Sequence, residues 1–256
     1  MKDIGLLNSF QGLFQIKNYY YRVIINNKRN HLSRVTRYSL LNRGKKMNLS
    51  KTFQEYFDDL SSNSPTPGGG NAAAIAGALG ASLAAMVCNL TIGKKKYADV
   101  GNEMINLKQK FLEYQKKFIE LSLKDNDAFN QVMNTMKLPK DTEEQKELRL
   151  RNIEKATYGA IEIPADVMKS CADILPLIKI IIEKGNKNSL SDAGVSASLL
   201  ASSARSAYLN ILINCASLKN QTIAAEIRKQ ADVLIDDITT FSEILIRQVI
   251  RSVQIQ

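Results

Sequence analysis

Asp125 is a carboxylate set inside an apolar stripe. Helical spacing puts Phe111 and Phe118 before it and Val132 after it, so a helix here carries the acid on the side of its phenylalanines. Burial disfavours the charged form. Such a group is either half of a structural ion pair or holds a perturbed pKa from which it can exchange protons near neutral pH. A second acid, Asp192, opens a helix from an Asn- and Gly-rich loop over residues 185–194, where the ordinary use of Asp is as an N-cap. A third feature is the loop Ser64-Pro65-Thr66-Pro67-Gly68-Gly69-Gly70-Asn71. Its prolines fix the entry, its glycines allow close backbone approach, and Asn71 can cap the helix that follows. Lys94, Lys95 and Lys96 stand at the far end of that helix, where cations favour the C-terminus and can meet an anionic substrate. Alone, the loop is a tight turn and the lysines a solvated helix end. Together they suggest a small-molecule site, with Asn186, Asn188, Asn210 and Asn214 as amides able to read a polar heterocycle.

Several other chemistries are disfavoured. The loop lacks the closing Gly-Lys-Ser/Thr of a P-loop and follows no strand, as a dinucleotide fingerprint must. The single histidine is His31, so residues 47–256 contain none; a His-based triad there is excluded. Cys88, Cys171 and Cys215 are too widely spaced for a paired-ligand pattern, so no metal site is expected and buried free thiols in a reducing compartment are. The net charge of +10 would suggest nucleic acid or an anionic membrane. However, residues 1–46 hold ten basic residues against Asp3 alone, which leaves a nearly neutral body. No nucleic-acid or membrane partner is expected. Residues 60–93 carry no charge, a length that could span a bilayer. Ala, Gly, Ser and Asn dominate the run, and a central helix buried on all sides fits that composition better.

The elements that must position these residues are all helical. Phe53, Tyr56, Phe57 and Leu60 share a face after a capping box from Thr52 to Glu55. A second helix over residues 71–92 carries small residues at Ala73, Gly77, Gly80 and Ala84, which let neighbours approach closely. A third, over 99–136, carries Met104, Leu107, Phe111, Tyr114, Phe118, Leu121, Asp125, Phe129 and Val132 on one stripe. A fourth begins near Thr142, is kinked or divided by Pro164 and Pro176, and ends at Gly185. A helix of Ala and Ser runs to about Leu218 and a last one over 221–252. With no alternating β-branched run, the expected fold is an all-α, up-and-down helical bundle with long kinked helices. Residues 1–46 are a disordered basic arm, an organelle leader, or sequence upstream of a true start at Met47. The last is preferred, because the ordered domain of 47–256 begins directly after it.

The chain resembles the formiminotetrahydrofolate cyclodeaminase and methenyltetrahydrofolate cyclohydrolase family. The resemblance runs from about Leu49 to the C-terminus. It is carried by residues 64–71, Asn89-Leu90-Thr91-Ile92-Gly93-Lys94-Lys95-Lys96-Tyr97, Asp125 with Ala128-Phe129, Lys137-Leu138-Pro139-Lys140, Ile163-Pro164, Gly185-Asn186 and Ser191-Asp192-Ala193-Gly194-Val195. It implies a cytoplasmic homodimer that needs neither cofactor nor metal and binds a reduced folate, with or without a polyglutamate tail, as substrate. The implied reaction converts 5-formiminotetrahydrofolate to 5,10-methenyltetrahydrofolate with loss of ammonia; the alternative interconverts the methenyl and 10-formyl forms. A non-catalytic folate-binding protein is the rival of another class. On this reading Asp125, Asp192 and Lys95 are catalytic. Pro67, Gly68, Gly69, Gly70, Lys94, Tyr97 and Asn186 bind the substrate.

Overall fold

The computed structural model describes residues 52–254. The arm of 1–46 and its boundary at Met47 lie outside them. The chain divides into two units between Asn63 and Ser64. In the first, helix α1 (Phe53–Leu60) starts on the capping box its sequence predicts: the Thr52 N–H donates to Glu55 Oε2 at 2.6 Å and the Glu55 N–H to Thr52 Oγ1 at 3.2 Å. No residue of α1 is buried.

The second unit holds five long helices: α2 (Gly69–Thr91), α3 (Gly101–Met136), α4 (Glu143–Lys184), α5 (Leu190–Ala216) and α6 (Gln221–Gln254). Contacts across each pair fix their directions. Asn71 meets Ser122 and Ser82 meets Gln115 between α2 and α3, and Ala73 meets Ser203 while Gly80 meets Ser196 between α2 and α5. Glu103 with Lys184 and Met136 with Arg149 do the same for α3 and α4; Ala160 with Asn214 and Cys171 with Ser203 for α4 and α5. Tyr208 with Asp232 and Gly194 with Val249 orient α6 on α5. Each of these consecutive pairs, and α2 with α5, is antiparallel, so the chain runs up and down. Helices α2, α3, α4 and α5 form a four-helix square in that order, and α6 lies against α4 and α5.

Small residues put α2 at the tight corner of this square. A Cβ on Gly77 would lie 2.7 Å from the Phe118 ring, and one on Gly80 would lie 3.0 Å from Leu200 Cγ and 3.1 Å from the Ser196 carbonyl oxygen. Helices that close expose backbone to side-chain donors. Ser203 Oγ donates to the Ala73 carbonyl and Ser196 Oγ to that of Gly80, each at 2.7 Å. Cys88, Cys171 and Cys215 are buried free thiols, and burial pushes the first two up to about 12.

Four expectations need correction. Helix α2 is not buried on all sides. It is long and apolar enough to cross a membrane, yet just over half of it is buried in protein and Leu79, Met86 and Leu90 face outward. Neither proline divides α4, which runs unbroken through Pro164 and Pro176. Pro164 has no N–H for the Ala160 carbonyl, and the Asn214 side-chain amide donates to that oxygen at 2.9 Å instead. The loop expected over 185–194 is short: a 3₁₀ turn, Lys187–Ser189, passes directly into α5 at Leu190. Gly194 therefore lies inside a helix, where its missing Cβ, 3.0 Å from Val249 Cγ1, makes room for α6. Lastly, the apolar stripe of α3 outlasts the core. Nothing after Ser122 in α3 and nothing before Thr157 in α4 is buried, so the ends of these helices project as a hairpin, closed by Arg149 donating to the Met136 carbonyl oxygen at 3.0 Å.

Candidate active site

The expected site residues fall into two groups, one at each end of α2. At the N-terminal end the Thr66-Pro67 peptide bond is cis, and Gly68 is the N-cap, with no side-chain cap of its own. Asn71 is not the cap. It lies inside the helix, 3% exposed, and its Nδ2 donates to the Ser122 carbonyl oxygen at 2.8 Å. The capping function falls to another helix: Asp125 accepts the backbone N–H of Asn71, at the third helical position. Gly70 makes this possible, since a Cβ there would collide with the Asp125 carboxylate, 2.6 Å from its Cγ. Gly69 is exposed and faces the amide of Asn210, which a Cβ would meet at 3.7 Å.

Opposing influences set the proton affinity of Asp125. Burial pushes its carboxyl above the ordinary value, and the Asn71 N–H pulls it back. The positive end of the α2 dipole also favours the anion. Burial prevails, leaving a half-buried carboxyl that can both hold and release a proton. Asp173, on α4, is raised by the same cause. It accepts from Tyr114, while Lys117 and Lys169 pull it back. Sequence spacing gave no sign of it, because nothing in α4 marks where α3 will cross.

At the C-terminal end Gly93, with φ of 77°, turns the chain out of α2. Lys94 caps a 3₁₀ turn, Lys95–Val100, on which Lys94, Lys95 and Lys96 are exposed. Lys96 Nζ lies 5.7 Å from the Tyr97 ring centroid, and the Tyr97 oxygen accepts the Lys187 N–H at 3.0 Å. Asn186 is 5% exposed and its polar atoms are engaged. Its N–H donates to Thr91 Oγ1 and its Nδ2 to the Leu90 carbonyl, each at 2.9 Å, and its Oδ1 accepts from Asn188 at 3.1 Å. Asn186 thereby ties the α4–α5 junction to the end of α2. Asp192 lies in the first turn of α5, half-exposed, and the N-cap there is Ser189. Asn214 is occupied by the Ala160 carbonyl and Asn210 Nδ2 by that of Ser206, at 2.8 Å.

A helix of 23 residues spans roughly 34 Å at about 1.5 Å per residue. Within one chain, Pro67, Gly68, Gly69, Gly70 and Asp125 are therefore a helix length from Lys94, Lys95, Tyr97 and Asn186; Asp192, one turn before the Ser196 that meets Gly80, lies nearer the middle of α2. Sequence reasoning missed Ser122 and Thr91, the polar partners that fix Asn71 and Asn186. Ser122 had a signal, being one turn before Asp125 on α3.

The cyclodeaminase domain model described as Formiminotransferase-cyclodeaminase matches residues 52–233. Methenyltetrahydrofolate cyclohydrolase of Methylorubrum extorquens is 38% identical over 194 residues, 76% of this chain and 93% of that protein. Formimidoyltransferase-cyclodeaminase of Sus scrofa is 30% identical over 75% of this chain, which spans 36% of the pig protein. Among solved structures, formiminotetrahydrofolate cyclodeaminase from Thermotoga maritima superposes with a TM-score of 0.68 at 28% identity, covering 80% of this chain and 96% of that one. The all-α bundle matches that of a folate one-carbon enzyme family. The chain belongs to the formiminotransferase-cyclodeaminase family.

Proposed function

We propose that the protein opens and closes the one-carbon bridge between N5 and N10 of a reduced folate, as a methenyltetrahydrofolate cyclohydrolase. The match to the Methylorubrum enzyme over 93% of its length carries this reading. Water adds to the methenyl carbon and loses a proton; the bond from that carbon to N5 then breaks, N5 takes a proton, and the hydroxyl of the adduct loses one as the 10-formyl group forms. One proton is released overall. Asp125 is the acid/base in this proposal, since burial raises its pKa. Gly68, Gly69 and Gly70 line the pterin beside it. Lys94 and Lys95 receive the carboxylates of the glutamate tail, Tyr97 and Asp192 flank that end, and Asn186 acts through the turn it fixes.

The Thermotoga structure favours a second reading. In the cyclodeaminase reaction N10 attacks the formimino carbon on N5, the imino nitrogen takes the N10 proton and a second from the same acid, and ammonia leaves as the methenyl bridge closes. Supplying 5-formiminotetrahydrofolate and 5,10-methenyltetrahydrofolate separately, and following ammonia and methenyl absorbance, tests both. Methenyl loss without formimino turnover supports the hydrolase; ammonia released in step with methenyl formation supports the deaminase. Turnover of neither, with folate bound, returns the chain to a non-catalytic binding protein. The working unit is a homodimer in the cytoplasm, acting without a metal. The separation of the two residue groups along α2 supports two copies per site.

A further inference from the structure

Two helices flank the start of α2, and each sends one polar side chain to its first turn. Asp125 comes from α3 and Asn210 from α5, the two neighbours of α2 in the square. A Cβ on Gly70 would lie 2.6 Å from Asp125 Cγ, and one on Gly69 would lie 3.7 Å from Asn210 Nδ2 and 3.9 Å from its Oδ1. The half-buried Asn210 amide has a fixed orientation. Its Nδ2 donates to the Ser206 carbonyl at 2.8 Å, where a flipped amide would set oxygen against oxygen. Oδ1 is thereby left as an acceptor that no donor reaches among the described residues. Between the two side chains lie donors. Asp125 accepts the Asn71 N–H and the Gly68 carbonyl accepts that of Ala72 at 3.0 Å, whereas the N–H groups of Gly69 and Gly70 meet no acceptor among the described residues.

From α5 to α3 the groups therefore run acceptor, donors, acid. One edge of a 4-oxopterin carries the complement in the same order: N3–H donates, the C4 carbonyl oxygen accepts, and N5 exchanges a proton. Seating that oxygen on the N–H groups of Gly69 and Gly70 turns N3–H toward Asn210 and N5 toward Asp125. The ring turned over would bring N5 to a neutral amide, which has no proton to exchange with it. We propose that Asn210 is a specificity-determining residue of the folate site, its Oδ1 accepting the pterin N3–H and so fixing which flank of the ring meets Asp125. This rests on the folate reading above and adds to it the ring edge that is read. An amino group in place of the C4 oxygen reverses both contacts. N3 then points a lone pair at Oδ1, and the amine hydrogens face the glycine N–H groups. The site therefore selects 4-oxo over 2,4-diamino pteridines.

Calorimetry with tetrahydrofolate and its 4-amino counterpart, which differ only at C4, reads this selection without turnover. Wild type should bind the 4-oxo ring about 100-fold more tightly, about tenfold for each reversed contact. Asn210→Ala should lower that ratio about tenfold, chiefly by weakening tetrahydrofolate. Asn210→Leu, close to Asn in size and lacking an acceptor, should do the same, which separates the loss of the oxygen from any loosening of α5. Asn210→Asp keeps an oxygen in place and should keep the ratio at about pH 8, where its carboxylate is ionised. A residue that only stiffened α5 would weaken both ligands alike. An unchanged ratio in Asn210→Ala and Asn210→Leu therefore overturns the inference, as does a wild type that binds tetrahydrofolate no better than its 4-amino counterpart. Either result, with methenyl or formimino turnover intact, spares the folate reading. A wild type that neither binds tetrahydrofolate nor turns over either substrate overturns the folate reading and the inference with it.

Discussion

The contact between Gly70 and Asp125 makes one residue of α3 both the cap of α2 and the acid of the proposed reaction. Because burial raises the carboxyl above its usual 3.8, the folded chain holds that proton more tightly than the unfolded one. The stability this lends is full below the unfolded value and is lost as pH rises through the raised one. Asp125→Asn removes that loss while keeping an oxygen for the Asn71 N–H. Its unfolding free energy should gain on wild type as pH climbs above about 4, and turnover should fall by orders of magnitude. Urea titrations at several pH values and initial rates check both. Gly70→Ala should cost activity by a different route, displacing the carboxylate without altering its charge. Lys95→Ala should raise KM for a polyglutamylated folate more than for the monoglutamate; equal KM values for both would remove the tail-binding role. Asp125 was legible in the sequence because an acid on a phenylalanine stripe breaks a pattern. Its partner was not, since only the fold shows that Gly70 is the residue beneath it.

At the level of elements, capping boxes and small-residue spacing announced the helices to within a few residues. The departures have local causes. Pro164 reads as a break because it removes a donor, and the compensating donor, Asn214, is fifty residues away on another helix. Asn214→Ala should leave the Ala160 carbonyl without its donor and destabilise the bundle by about 1 to 3 kcal/mol. Pro164→Ala returns an N–H to that carbonyl, so the double variant should recover most of the loss. Denaturation of the two single variants and the double measures this coupling, and strictly additive effects would show that the amide serves another purpose. Asn186 and Gly194 read as loop residues for a similar reason. Asn is common in turns, and a glycine that makes room for Val249 looks no different in sequence from one that bends the chain.

For the whole molecule, the up-and-down bundle followed from helix count and short connections, while the division of the site between two ends of α2 required its length. Sequence order placed the glycines and lysines only twenty-odd residues apart, and a helix turns that interval into the height of the domain. The homodimer proposed above would bring both ends to one ligand, and would tie catalytic competence to protein concentration. On that proposal specific activity should fall on dilution below the dissociation constant of the dimer. Specific activity independent of concentration would detach catalysis from assembly.

The hairpin formed by the ends of α3 and α4 bears on how the protein can be handled. Lys137, Lys140, Lys146, Arg149 and Arg151 lie on or beside a projection that buries nothing, so within residues 52–254 a brief exposure to trypsin should cut there first. The two halves would remain held by the helices of the square, giving a nicked protein whose chain ends lie roughly 18 Å along α3 from Asp125 at about 1.5 Å per residue. Such a break admits a reporter or an affinity handle away from the core without disturbing it, a split-protein architecture that the fold already supplies.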